Sequence, residues 1–215
     1  MCEVHRGLGQ QNRQATCDNI AMKNSAITPE NARSKLTVLS LWLPILAMTI
    51  VIVASNVAVM VPINDWLTWG AFTYPFVFLV TDLTNRAVGP QGARKVAWVG
   101  LVFAVVLSVY FANWQIALAS GTAFISAQLL DISLFNRLRA MSWWKAPLIG
   151  SIAASVVDTG IFFFIAFYGS DMNWLMLASG DLMVKWAMAA ALLLPYRLLL
   201  PRVAAIAQRT ATPAV

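Results

Sequence analysis

Charged residues are scarce in this chain of 215 residues. Asp, Glu, Lys and Arg make up 11% of it and hydrophobic residues 60%, whereas a soluble domain carries about 25% charged residues. The mean hydropathy is +0.70. Such a composition excludes an ordinary soluble globular domain. The first uncharged run, 36–61, contains 26 residues and exceeds the roughly 20 that span a bilayer, so it predicts a retained membrane helix and not a signal peptide.

Cysteine and histidine are nearly absent. Cys2, His5 and Cys17 all lie in the polar N-terminal region. The apolar part therefore has no residues for a disulfide scaffold, a zinc or haem site, or Cys–His catalysis. We predict no metal and no cofactor. A metal site built from these three N-terminal residues is an alternative that we do not favour.

The polar and apolar residues divide the chain into three predicted parts. These are a polar cytoplasmic tail at 1–35, a membrane domain at 36–200 and a cytoplasmic C-terminal tail at 201–215. Residues 1–27 lack periodicity and are predicted to be disordered, and the sequence leaves open whether translation starts at Met1 or Met22.

Six apolar segments fill the membrane domain. They lie at 36–61, 66–84, 96–112, 114–135, 146–168 and 173–195. Because they are too long and too uniformly apolar for barrel strands, we expect an all-α membrane protein with six transmembrane helices. The break near Asn113 is marked only by that residue and flanking aromatics, so five segments remain the alternative.

The basic residues indicate the orientation of these helices. Of the 15 Lys and Arg, all but Lys185 lie near the two termini, between the second and third segments, or between the fourth and fifth. By the positive-inside rule, both termini are predicted to be cytoplasmic. Since topology accounts for the basic residues, we expect no nucleic-acid partner.

Five ionisable residues remain within or at the ends of the apolar segments. They are Asp82, Asp131, Asp158, Asp181 and Lys185. A charged side chain at the centre of a membrane helix costs about 2.5–3.5 kcal/mol on insertion scales. Asp158 and Lys185 fall near the middle of the fifth and sixth segments, which a short turn joins. We therefore predict that they meet across two antiparallel helices.

Three helical spacings group the other polar residues. Asp181 precedes Lys185 by four residues, and Asp82 precedes Arg86 by four, so each pair shares a helix face. Gln128 and Asp131 share a face at a spacing of three. One interpretation is that these are structural pairs that hold a helix bundle together. For the mid-membrane pair we favour a transport role, because buried ion pairs seldom repay their desolvation and intramembrane charges usually line a pathway.

Several blocks of the sequence are characteristic enough to suggest a family. They include "TWGAFTYPFVFLVTDLTNRAVG", "AQLLDISLFNRLR", "VVDTGIFFFIAF" and "GDLMVK". Over residues 55–197 the chain resembles the bacterial queuosine precursor transporter family, also called the vitamin uptake transporter family. The resemblance implies a six-helix protein of the bacterial inner membrane that imports 7-cyano-7-deazaguanine, 7-aminomethyl-7-deazaguanine or both. These compounds are salvaged to make queuosine in tRNA.

The residues suit such a substrate. A deazaguanine presents adjacent ring and amino N–H donors, which a carboxylate can accept side by side, and its flat ring can stack on aromatic side chains. Asn56 or Gln128 could contact the ring carbonyl. The candidate transport residues are Asn56, Asp82, Arg86, Gln128, Asp131, Asp158, Asp181 and Lys185. The expected partners are the deazapurine and the lipid bilayer, and homo-oligomerisation is left open.

Two other classes of protein share some of these features. An intramembrane aspartyl protease usually pairs Tyr-Asp with Gly-x-Gly-Asp, but here Asp181 follows "ASG" and no aspartate follows tyrosine. We therefore expect no enzymatic activity. The second alternative is the substrate-binding subunit of a multi-component, ATP-driven vitamin importer. The chain has no Walker motif, so its ATPase would be another protein.

Overall fold

The computed structural model describes residues 29–59, 61–64, 67–111, 114–169 and 173–211. Its elements are α1 (Pro29–Val59), β1 (Pro62–Asn64), β2 (Leu67–Thr68), α2 (Gly70–Thr73), α3 (Phe76–Phe111), α4 (Trp114–Leu138), α5 (Lys145–Ala166), α6 (Trp174–Ala191) and α7 (Leu193–Ala211). Helices make up most of the described chain, and turns and one short antiparallel hairpin, formed by β1 and β2, connect them. The predictions about disorder at 1–27 and about the start at Met1 or Met22 lie outside the described residues.

Most of these helices are long and apolar enough to cross a membrane. Within the described residues four spans qualify: 41–58, 70–111, 114–138 and 145–166. Helix α6 and the start of α7, bent by 43° where they meet, qualify together as a fifth. The predicted helical membrane protein is confirmed at this level. The second predicted segment includes β2, α2 and the beginning of α3, the third lies further along α3, and the sixth is broken at Leu192.

Gly89 interrupts α3. Its φ of +83° and ψ of 177° are non-helical, and L side chains rarely adopt such a conformation. Before this break, Thr81 contacts Gln128 and Asn85 contacts Ile132. Because the residue numbers rise together, the first part of α3 runs parallel to α4.

The second part of α3 runs in the opposite direction. A Cβ atom added to Gly121 of α4 would lie 2.7 Å from Val105, and one added to Gly100 would lie 3.1 Å from Phe124. Further along α4, Ile132 packs with the alanines at 93 and 97. Here the numbers on α4 rise as those on α3 fall, so the chain reverses direction at Gly89.

Close backbone contacts organise the rest of the bundle. Leu41 of α1 packs on Gly92, and Met48 and Ile52 pack on Gly100, so α1 runs parallel to the second part of α3. Lipid is as apolar as these side chains, so tight packing at small residues holds the helices together more than hydrophobic burial does. Helix α5 runs antiparallel to α4, since Gln115 donates 3.0 Å to the Ile165 carbonyl near one end and Gly150 meets Asp131 near the other.

The outer surface suits a lipid environment. Along the second part of α3, the exposed side chains Trp98, Val102, Val106 and Val109 each keep more than half of their surface uncovered. A contiguous apolar stripe of this kind is unusual on a soluble monomer and marks a surface covered by lipid or by another protein. Polar side chains accordingly collect inside the bundle.

Candidate functional site

Lys185 is the centre of a buried ion network. Its Nζ lies 2.8 Å from Asp158 Oδ2 and 2.6 Å from Asp181 Oδ2, and it donates a 3.0 Å hydrogen bond to Thr159 Oγ1. Asp158 and Thr159 lie on α5, whereas Asp181 and Lys185 lie on α6. The predicted contact between Asp158 and Lys185 is therefore formed, and so is the predicted pair one helical turn apart on α6.

Tyr74 and Thr159 complete the network. The Tyr74 hydroxyl donates to Asp158 Oδ1 at 3.2 Å, and its ring centre lies 5.4 Å from Lys185 Nζ, within the range of a cation–π interaction. The Thr159 hydroxyl donates to Asp181 Oδ2 at 2.8 Å. Both oxygens of Asp158 thus accept a hydrogen bond, and all three donor positions of the ammonium group have partners.

Tyr74 and Thr159 are not among the candidate residues predicted from the sequence. Tyr74 lies between α2 and α3, directly before Pro75, which has no backbone N–H to continue a helix. The short helix α2 ends there, with the Tyr74 N–H bonded to the Gly70 carbonyl. The dipeptide Tyr-Pro inside an apolar run was the available signal for a side chain placed at a helix break. For Thr159 the available sequence signal was its position directly after Asp158.

A second polar group lies between α3 and α4. Asp82 and Asp131 are 2% and 0% exposed, and their carboxyl groups lie within hydrogen-bonding reach of each other. Asp82 Oδ1 and both oxygens of Asp131 have no donor among the described residues. The ion pairs among the described residues all involve Lys185. Within the described chain, no cation therefore neutralises Asp82 or Asp131.

Two carboxamides adjoin this acid pair. Thr81 donates to Gln128 Oε1 at 2.5 Å, and Asn85 Nδ2 donates to the Ile132 carbonyl at 3.2 Å. The other half of each amide, Gln128 Nε2 and Asn85 Oδ1, is buried and has no partner within the described chain. Gln128 lies one turn from Asp131, and Asn85 lies one turn from Asp82. The predicted common face of Gln128 and Asp131 is thus directed inward.

Arg86 does not pair with Asp82, contrary to what their spacing suggested. Its Nη1 donates instead to the Arg139 carbonyl at 3.1 Å. Helix α4 ends at Leu138, and a cation beside its unpaired terminal carbonyls is favourable. Asn56 joins neither polar group, because its Nδ2 donates 2.9 Å to the Ile52 carbonyl of its own helix.

A narrow cleft connects the two polar groups. Lys185 and Asp82 both line it; the other lining residues are Pro75, Phe78, Leu79, Pro147, Ser151, Ser155, Ala189, Leu192, Leu193 and Tyr196. It leaves about 10 Å³ for the centre of a water-sized molecule, which is about the space that one water needs. A base-sized ligand could enter only if the helices or side chains around the cleft moved apart.

Comparison with known proteins places this arrangement in a family. A family model described as "Putative vitamin uptake transporter" matches residues 68–113 and 108–199. The chain belongs to this vitamin uptake transporter family. Every residue of the ion network and of the acid pair lies within the matched ranges, whereas Asn56 lies outside them. No solved structure matches the chain.

Three curated relatives resemble the chain over most of its length. The "Queuosine precursor transporter" of Escherichia coli (strain K12) is 34% identical over 183 residues, which cover 72% of this chain and 82% of that protein. The "Probable queuosine precursor transporter" of Haemophilus influenzae (strain ATCC 51907 / DSM 11121 / KW20 / Rd) is 35% identical, and the match covers 67% of this chain and 79% of that protein. A protein of the same name from Bacillus subtilis (strain 168) is 29% identical, and the match covers 60% of this chain and 69% of that protein.

Proposed function

We propose that this chain imports queuosine precursors, 7-cyano-7-deazaguanine, 7-aminomethyl-7-deazaguanine or both, across the inner membrane of a bacterium. The observation that carries the proposal is the likeness to relatives that bear this transporter name, at 34% and 35% identity. A buried, charged network beside a cleft between membrane helices supports it, because intramembrane charges usually line a substrate or ion pathway. The proposed activity is transport without an enzymatic step.

The proposal includes six membrane crossings with both termini in the cytoplasm. In this scheme α1 is the first, and α2 with the first part of α3 is the second. The second part of α3 is the third, α4 and α5 are the next two, and α6 with the start of α7 is the last. The reversal at Gly89 supports this scheme, because Arg86, Arg94 and Lys95 flank it and basic residues favour the cytoplasmic side. The division into tails at 1–35 and 201–215 around a 36–200 membrane domain is part of the same proposal.

Asp158 is proposed to receive the substrate. A deazaguanine offers two adjacent N–H donors, which match the two oxygens of one carboxylate. In the structure Tyr74 and Lys185, which lines the cleft, occupy those oxygens. Substrate binding would therefore replace the contact between Asp158 and Lys185, while Asp181, at 2.6 Å from Nζ, keeps the ammonium group paired.

An aromatic wall supports stacking of the flat ring. Phe78 lines the cleft, and its ring centre lies 6.3 Å from that of Tyr74 in an edge-to-face arrangement. Stacking of a base on one aromatic side chain contributes about 1–3 kcal/mol. Together with charge-assisted hydrogen bonds to Asp158, stacking would favour a polar, planar heterocycle over an aliphatic vitamin.

The test is growth of a bacterium that can neither make nor import these precursors. Expression of this chain should restore queuosine to tRNA when nanomolar 7-cyano-7-deazaguanine is supplied, which a boronate gel shift detects through the cis-diol of queuosine. The host should also lack every coupling ATPase of multi-component vitamin importers. Restoration in that host favours a self-sufficient carrier. Restoration only after such an ATPase is returned would favour the alternative, a substrate-binding subunit.

A further inference from the structure

The acid pair has no part in the substrate contacts proposed above, although it is buried within the bundle. Asp131 is completely buried and Asp82 is 2% exposed. Removing one carboxylate charge from water costs several kcal/mol, and two such charges side by side repel each other. Both acids would be ionised at this depth only if a cation lay nearby, and in the described residues none is paired with either.

The charged and titratable groups around the pair are few. On α3 the nearest cation is Arg86, which is directed to the Arg139 carbonyl. On α7, Tyr196 lies within electrostatic reach of Asp82, Arg86 and Arg139. On α6, Lys185 lines the same cleft as Asp82 but is held by Asp158 and Asp181. On α5 the groups that face the cleft are uncharged, namely Pro147, Ser151 and Ser155.

The unpartnered amide groups are an independent sign that the pair binds something. Gln128 Nε2 is a buried donor and Asn85 Oδ1 is a buried acceptor, and neither is satisfied within the described chain. Their other ends are fixed by Thr81 and by the Ile132 carbonyl. A single proton between the carboxyl groups would convert two mutually repelling acceptors into a donor and an acceptor. The remaining carboxyl oxygens could then accept from the Gln128 amide.

We propose that Asp82 and Asp131 together bind the proton whose entry drives substrate import. The proposal rests on the proposed function and adds its energy source. A proton from the outside joins the carboxyl pair, and it leaves to the cytoplasm when the substrate is released. One proton therefore enters with each substrate molecule. Asp82 lines the cleft and Asp131 does not. In this proposal Asp82 is therefore the residue through which substrate in the cleft influences the proton that the two acids share.

The experiment uses the full-length protein in proteoliposomes that contain a pH-sensitive dye. External 7-cyano-7-deazaguanine should acidify the lumen, and an acidic exterior should raise accumulation at least tenfold over equal pH. An inward sodium gradient at equal pH should have no effect. Acceleration by sodium without lumen acidification would contradict the proposal. If the wild-type protein neither accumulates nor exchanges labelled substrate, the proposed function fails and this inference fails with it.

Two variants test the residues. Asp131→Asn preserves size but cannot release a proton, so concentrative uptake and acidification should be lost. Exchange of internal for external substrate should stay within about twofold of wild type, because exchange needs no net proton movement. Asp82→Asn should lose acidification in the same way, which keeps the test informative if Asp131→Asn does not fold. Asp171→Asn, the same change in the connection between α5 and α6, is the matched control. Acidification that persists in both folded variants would overturn the assignment.

Discussion

Lys185 and Asp158 form a 2.8 Å ion pair between two antiparallel helices, with side chains that are 7% and 5% exposed. A carboxylate in an otherwise uncharged helix is thus matched by an ammonium group on its neighbour. Two carboxyl groups share this one ammonium group, since Asp181 also contacts the same Nζ. The network contains two carboxyl groups for one ammonium group, so a ligand with N–H donors has a carboxyl group to bind.

Removing one partner of this pair should impair transport more than folding. Asp158→Asn keeps the size of the side chain and loses its charge, and we expect at least a tenfold fall in uptake per molecule. Lys185→Met should lower uptake as well, because it leaves the buried carboxylate of Asp158 and the half-buried carboxylate of Asp181 without a cation. Uptake and the amount of folded protein in the membrane are measured side by side.

The double variant separates pairing from independent roles. If the residues act as a pair, Asp158→Asn combined with Lys185→Met should lose less activity than the two single losses combined. A purely structural pair would give a different result. Each single change would then reduce the folded protein in the membrane, while transport per folded molecule stayed at the wild-type level.

Gly89→Ala should destabilise the protein. Gly89 has φ +83° and ψ 177°, a conformation that costs a residue with a Cβ atom about 1–3 kcal/mol. The added methyl group meets nothing within 4 Å, so any loss reports backbone strain and not a clash. The unfolding temperature in detergent should fall relative to wild type. An unchanged temperature would show that the reversal at this glycine needs no special backbone conformation.

Gly160→Ala is the control for the glycine variants. It lies in α5, has no positive φ, and would place its methyl group in open space. Since alanine is the better helix former, its unfolding temperature should equal or exceed that of wild type.

Gly150→Ala should disturb the acid pair without touching the substrate. A Cβ atom at this position would lie 2.5 Å from Asp131 Oδ1, so the carboxyl group has to move. We expect concentrative uptake to fall severalfold, while substrate exchange is largely kept. The same substitution at Gly160 of the same helix should leave both intact. Equal uptake in the two variants would show that the position of Asp131 is unimportant.

The depth of charges along the chain was sufficient to predict the ion pairs of Lys185, because only Lys185 and Asp181 lie level with Asp158. The sequence did not predict the contact that Arg86 makes. Its spacing from Asp82 permits an ion pair, but its side chain donates to the Arg139 carbonyl at the end of α4. The contact between Asp82 and Asp131 depends on the first part of α3 packing against α4 in the register that brings Thr81 to Gln128 and Asn85 to Ile132. Apolar segments predict helices, but they do not predict which helices pack together or in which register.

The orientation of the chain can be read from cysteine labelling. After Cys2 and Cys17 are replaced, an impermeant maleimide added outside should label Asp65→Cys and Asp171→Cys and should not label Gln91→Cys. The basic residues beside Gln91 predict a cytoplasmic position for it by the positive-inside rule. The opposite labelling pattern would contradict the proposed topology.

The most direct measurement of the central claim is uptake of radiolabelled 7-cyano-7-deazaguanine into proteoliposomes that contain this protein alone, with an acidic exterior and no ATP. We predict accumulation above the external concentration, competition by unlabelled 7-aminomethyl-7-deazaguanine, and loss of accumulation in Asp158→Asn. Failure of the folded wild-type protein to move the label, by accumulation or by exchange, would contradict the account.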